Sequence, residues 1–312
     1  MDAKGGNGTA SSRRRIVIAS TAFLLAQGRT RASARTRADP RMSILSPALQ
    51  PGVTLLSAPI ELAGDWGGMI PNSAVQVLEL MRRACLEDVR LVSDRQPTRI
   101  RVDEHTSGPP AVWLHADGST TAWIVVDIGE RAWAQLAYQF GHELGHVAAN
   151  SWLPHAVPKG PCQWLEEALV EAFSLRGLGR LGATWRRTPP FPGDNAYGEA
   201  ITAYRSKILE DYRRLAADQG GLGDARAWFA RHRARIEAGD GLNAYARAAS
   251  LLILAEYERA PACLAAIGAL NRWPGRTALP LGDYLDQWKA SCIELSASTQ
   301  LPAFLMSQFK PG

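Results

Sequence analysis

Residues 142–146 read His142-Glu143-Leu144-Gly145-His146, and no other stretch of the chain states a chemistry so directly. Side chains four apart on a helix lie one above the other on a single face. Two imidazoles so related can share one metal ion, while the glutamate beside the first reaches a water held on it. Two histidines and a general base are the parts of a zinc site for metal-assisted hydrolysis. The alternative is an ordinary helix that carries the pentad by accident, so the surroundings must supply a helix and a third ligand.

A helix is expected over Arg131–Asn150. Trp133, Leu136, Ala137, Phe140, Leu144 and Val147 recur at spacings of three and four, which makes one apolar stripe. His142 and His146 fall nearly opposite the centre of that stripe, on the side of Gln135 and Gln139. Gly141 and Gly145 each cost about 1 kcal/mol relative to alanine inside a helix, which suggests close approach by another segment. Upstream, Thr120–Asp127 is rich in β-formers and reads as a strand, and Ile128-Gly129-Glu130 turns into the helix. That strand either offers an extended substrate a sheet edge beside the metal or simply belongs to the core.

A catalytic zinc usually takes three protein ligands and leaves a fourth position to water. A third histidine six residues after the second, beyond a glycine, is ruled out, because Ala149 and Trp152 hold those positions. His155 lies close by but follows Pro154 in a loop. The better source is the next helix, which begins at Gln163. Glu167 and Glu171 share one of its faces and Glu166 points elsewhere. Trp164, Leu165, Ala168, Leu169, Val170, Ala172, Phe173 and Leu175 make this helix apolar nearly all round, so it is expected to be buried. Buried carboxylates are costly unless paired, hydrogen-bonded or bound to a metal. Like charges at i and i+4 add repulsion, and a nearby cation resolves both problems. A solvated acidic edge is the alternative, and Glu167 as ligand is the stronger case.

The pentad, a loop, and then Trp164-Leu165-Glu166-Glu167-Ala168-Leu169 together resemble the gluzincin metallopeptidases. In the aminopeptidase branch of that clan the second motif is commonly Trp-Leu-Asn-Glu-Gly, and its Glu is the third zinc ligand. The resemblance therefore implies Zn²⁺ held by His142, His146 and Glu167, with Glu143 as general base and Glu166 at the Asn position. Glu171 falls where relatives carry an acid that supports a ligand histidine. The loop between His146 and Glu167 is slightly longer than usual. The resemblance covers residues 120–175 strongly and the remainder loosely. It implies an α+β, zincin-like fold: a small, mostly antiparallel sheet with the active-site helix, followed by an all-helical C-terminal lobe. It also implies a peptide or protein substrate. Relatives stabilise the oxyanion with a Tyr or His from a later helix. Asn243–Tyr257 resembles that helix and nominates Tyr245, with Tyr197, Tyr204 and His232 as competitors. The rival from another class is a non-catalytic zincin-like module with a structural or vestigial metal; an intact Glu143 speaks against it.

The chain has 312 residues and a net charge of +5, but residues 1–41 alone carry +7, which leaves −2 for residues 42–312. The basic character belongs to the tail, so a nucleic-acid surface on the folded body has little support. Arg13-Arg14-Arg15 precede the apolar run Ile16–Ala26, and Ala32-Ser33-Ala34 offers a small-residue cleavage site. The run is too short to span a bilayer. Ser12–Val17 resembles a twin-arginine export signal, which Arg29, Arg31, Arg35 and Arg37 also suit better than ordinary secretion. Export to the periplasm or beyond is expected; the alternatives are a true start at Met42, which makes the protein cytoplasmic, or an organelle transit peptide. Cys85, Cys162, Cys263 and Cys292 show no Cys-x-x-Cys spacing, so two disulfides or four buried free thiols are open.

These features divide the chain into a targeting-like segment (1–41), an α+β subdomain ending in the pentad helix (42–150) and a helical subdomain carrying the third ligand (151–312). Val53–Leu62, Thr98–Val102 and Ala111–His115 read as strands and Ser73–Leu86 as a helix. Further helices are expected at Ala196–Ala217, Leu222–Ala238, Asn243–Ala260, Pro261–Leu270 and Leu281–Leu295. The Arg226–Arg235 cluster is most simply a solvated helix face.

Overall fold

Alternating buried and open positions build one four-stranded sheet from β1 (Ile60–Gly64), β2 (Arg99–Glu104), β3 (Ala111–Trp113) and β4 (Thr121–Val126). A computed structural model describes residues 55–309 except 65, 67–70, 105–108, 115–119 and 129–131. The targeting-like segment and Met42 lie outside the described residues. Ile100, Val102, Ala122, Ile124 and Val126 turn inward and are fully buried. On the other face Arg101 lies over the Trp123 ring, 4.1 Å from its centroid.

The strand order is β1-β2-β4-β3. The sheet is mixed rather than mostly antiparallel: β1 pairs parallel with β2 and β2 with β4, while β3 is antiparallel to β4. Helix α1 (Pro71–Leu86) crosses between β1 and β2 and returns the chain in the same direction, which parallel pairing requires. The strand that leads to the pentad helix is therefore internal, and β3 is the edge beside it. The strand sought at Val53–Leu62 is shifted to Ile60–Gly64, after a turn that begins at Leu55.

The remaining elements are helical: α2 (Trp133–Ala148), α3 (Gln163–Arg187), α4 (Tyr197–Asp218), α5 (Ala225–Ala238), α6 (Ala244–Arg259), α7 (Leu281–Glu294) and α8 (Gln300–Phe309). Asp224 caps α5 by accepting the Ala227 N–H, and Asn243 caps α6 by accepting those of Tyr245 and Ala246. Pro261–Ala269 is a 3-10 helix. Helix α8 goes beyond the expected elements, although Leu301, Leu305 and Phe309 recur every four residues and are fully buried.

One core runs from the inner face of the sheet to α8. Helix α3 is its axis, with Trp164, Leu165, Leu169, Leu175 and Trp185 fully buried. Each such side chain contributes roughly 1.5–3 kcal/mol over an exposed one. The side of α2 that carries the histidines does not face solvent, because α3 lies against it. A Cβ on Gly145 would sit 2.7 Å from Cβ of Val170, and one on Gly141 2.8 Å from Oγ of Ser174 and 2.4 Å from Cε of Met81. The two glycines are what lets α3 come this close. All four cysteines are free thiols and buried, and burial pushes each up to about 12. Among the described residues, no helix is long and apolar enough to cross a membrane.

Candidate metal centre

Helix α2 stacks His142 and His146 one turn apart, ring centroids 5.1 Å from each other. Helix α3 crosses in front of them and brings Glu167 between the two rings. Its Oε2 lies 3.3 Å from Nε2 of His142 and 3.7 Å from Nε2 of His146. One atom from each residue lies within 4.8 Å of the other two, and among the described residues this is the one group able to share an ion. Exposed His155, in the following loop, is not in it.

Each histidine is held from behind by its own carboxylate. His142 Nδ1 lies 2.8 Å from Glu171 Oε2, and His146 Nδ1 lies 2.8 Å from Glu166 Oε1. An ionised carboxylate only accepts, so each Nδ1 carries a proton, and the neutral form of each ring keeps its lone pair on Nε2. Glu171 is fully buried and accepts two further hydrogen bonds, from the hydroxyls of Tyr138 and Tyr212, each 2.9 Å. Glu171 thus lies behind His142.

Glu166 does not point away as its helical angle suggested. The step of about 100° between neighbours on a helix is what separates a carboxylate between the rings from one behind His146. Glu166 is as buried as Glu167, and the desolvation argument that singled out Glu167 and Glu171 applied to it equally. Tyr138 and Tyr212 carried no such signal, since a tyrosine on a buried face reads as core.

The group fits a cation. His142 Nε2 and Glu167 Oε2 are both buried, and neither has a hydrogen-bond partner among the described residues. A buried polar atom left unsatisfied costs about 1–3 kcal/mol, and two aimed at one point are satisfied together by one ion. Two imidazoles and a carboxylate are also a donor set that divalent transition metals take. The electrostatics agree. Burial alone would depress His142, but the adjacent carboxylates of Glu167 and Glu171 outweigh it and push the imidazole up to about 9. Burial would depress His146 too, yet the Glu167 charge and the Glu166 hydrogen bond hold it well above its usual value. Against burial, the neighbouring imidazoles of His146 and His142 hold Glu167 far below the usual carboxylate range.

Glu143, 3 % exposed, sits on α2 beside His142. Burial raises its carboxyl, the two imidazoles pull it back, and Glu167 raises it again; the net shift is upward. A backbone hydrogen bond from Val112 reaches it, so edge strand β3 passes beside this carboxylate.

The proposed oxyanion donors are placed as follows. Tyr245 lies with Trp228 and His232, ring centroids 6.2 and 5.4 Å away. His232 Nε2 donates to the Gln219 carbonyl at 2.9 Å. Tyr197 accepts the Ala134 N–H at the start of α2 at 3.1 Å. Tyr204 packs edge-on against Tyr138, centroids 6.0 Å apart; burial and the Glu171 charge push its hydroxyl up to about 12. Compared with family models, curated proteins and solved structures, the chain matches none.

Proposed function

We propose that the protein is a zinc-dependent peptidase in which His142, His146 and Glu167 hold Zn²⁺ and Glu143 is the general base. The observation that carries this is a pair of buried atoms without a hydrogen bond, His142 Nε2 and Glu167 Oε2, facing each other at 3.3 Å near a further buried carboxylate, Glu143. When bound, zinc supplies Lewis acidity, lowering the pKa of a water and polarising a carbonyl. The chain's own residues do the rest. Glu171 and Glu166 keep both Nδ1 atoms protonated and both Nε2 atoms available. Glu143 takes a proton from the water that attacks the peptide carbonyl; the C–O bond forms, the C–N bond breaks, and the proton passes to the leaving amine. The position of β3 at the end of the sheet supports a peptide over other amides, since an extended chain could add beside it as a further strand next to Glu143. A purely structural site would need no such acid at that place. Export, with the tail as a leader, belongs to the same proposal.

Glu143→Gln tests the reading. After a peptide library has identified a substrate, the variant should keep its zinc, measured by metal analysis, and lose hydrolysis by about 10²–10⁴-fold. Activity surviving at the wild-type level would remove the general-base assignment, and a wild-type protein that takes up no zinc would remove the metal.

A further inference from the structure

Behind His146 lies a buried polar circuit that reaches more than a hundred residues along the chain. Glu166 Oε1 accepts from His146 Nδ1 and from the Ser151 hydroxyl. Its Oε2 accepts from Asn271 Nδ2 at 2.8 Å. Arg276 Nη2 donates to the same Ser151 hydroxyl at 2.7 Å and to the Asn150 carbonyl at 3.1 Å, while Nη1 donates to the Asn271 carbonyl at 3.1 Å. Tyr284 donates to Asn271 Oδ1 at 3.1 Å, which fixes the amide so that its nitrogen faces Glu166. Glu166, Ser151, Asn271 and Arg276 are all buried.

Two features set this circuit apart from ordinary packing. Asn150, Asn271 and Arg276 all hold left-handed backbone, with φ of 64°, 58° and 44°. Asparagine tolerates that region; arginine has no special aptitude for it. Strain of this kind persists only where the surroundings over-determine it, and it gathers at functional sites. The second feature is charge. Glu166 is an extra buried carboxylate beside a centre already rich in them, and Arg276 supplies the buried cation that offsets it through Ser151. A core with no need of Glu166 would hold an apolar side chain there at lower cost.

We propose that Glu166, Ser151, Asn271 and Arg276 form a positioning circuit for His146, which fixes its ring with Nε2 turned to the metal and makes residues 271–276 part of the metal centre. The proposal rests on the reading of His142, His146 and Glu167 as ligands. None of the four circuit residues touches the ion; they act through His146. Partners behind a ligand histidine are typically worth ten- to a hundredfold in metal affinity.

The test is titration of the full chain with Co²⁺, read by its visible absorption, and with Zn²⁺ against a competing chelator. Glu166→Gln keeps volume and removes charge; Arg276→Met removes the anchor; Ser151→Ala removes only the bridging hydroxyl. Glu166→Gln and Arg276→Met should each weaken both metals by roughly tenfold or more and alter the Co²⁺ spectrum, with far-UV circular dichroism unchanged. The double variant should lose little more than the worse single one, because both act through one link. Folded Glu166→Gln with wild-type affinity and spectrum would overturn the proposal. If Arg276→Met does not fold, Ser151→Ala decides: a weaker Co²⁺ complex supports the circuit and an unchanged one overturns it. A wild-type chain that binds neither metal fails differently, since it sinks the ligand assignment itself.

Discussion

Replacing Gly145 by alanine would place a methyl carbon 2.7 Å from Cβ of Val170 and 3.1 Å from its Cα. Carbon atoms at rest sit about 3.5–4.0 Å apart, so α2 and α3 must separate by roughly 1 Å. Val170 is on α3 between Glu167 and Glu171, and its Cα is backbone, so no rotamer change relieves the contact. The separation would fall on the 3.3 and 3.7 Å gaps between Glu167 Oε2 and the two imidazoles. Metal–ligand bonds tolerate errors of about 0.2 Å. Overpacking a core costs about 1–3 kcal/mol, and removing a glycine from a helix interior returns up to about 1 kcal/mol. Gly145→Ala should therefore lose roughly 0–2 kcal/mol in urea unfolding without metal, yet bind zinc at least about tenfold more weakly in chelator competition. A variant that is stabilised by about the propensity gain and binds zinc as the wild type does would show that the close approach of α2 and α3 does not set the site.

Two further outcomes follow from the same physics. Gly282, in the first turn of α7, would meet nothing within 4 Å on gaining a Cβ, so Gly282→Ala should raise stability by up to about 1 kcal/mol; a loss in thermal unfolding would contradict the open space around it. In metal-free protein, His142 is raised from 6.5 to about 9, so its contribution, on the order of 3 kcal/mol, is complete below pH 6.5 and lost as pH rises through about 9. Urea unfolding should show that decline without metal and lack it with saturating zinc, because ligating imidazoles are neutral throughout; a flat metal-free profile would refute the pairing.

Legibility in the sequence followed periodicity. The α2 stripe, the two carboxylates four apart and the costly glycines all carry a helical repeat, so His142, His146, Glu167 and Glu171 are found together in one buried group. What escaped depends on contacts between segments. Parallel pairing of β1 with β2 depends on the α1 crossover and that of β2 with β4 on β3 lying outside β4, and no single strand records either. The role of Glu166 depends on which side of α3 meets His146, and the helical angle describes one helix, not a crossing of two. Asn271 and Arg276 are more than a hundred residues from Glu166 in a turn-rich stretch with no periodic pattern. Tyr245 came from likeness to a helix elsewhere, and its surroundings here are Trp228 and His232.

Charge argues that an ion held by this group would be divalent rather than monovalent. Glu143, Glu166, Glu167 and Glu171 are all buried within two crossing helices, and carboxylates so placed persist only with compensation. Arg276 answers for Glu166 through Ser151. Glu171 spreads its charge over His142 and two tyrosine hydroxyls. The charges of Glu167 and Glu143 are then answered by the two imidazoles, which without metal are drawn toward the charged form. Two imidazolium charges and one divalent cation with two neutral imidazoles give the same total. The fold therefore accepts the exchange without a change in its electrostatic balance, whereas a monovalent ion would leave one carboxylate unanswered. The acid content of α3, costly for a core helix, is what the proposed exchange of protons for a divalent ion would require.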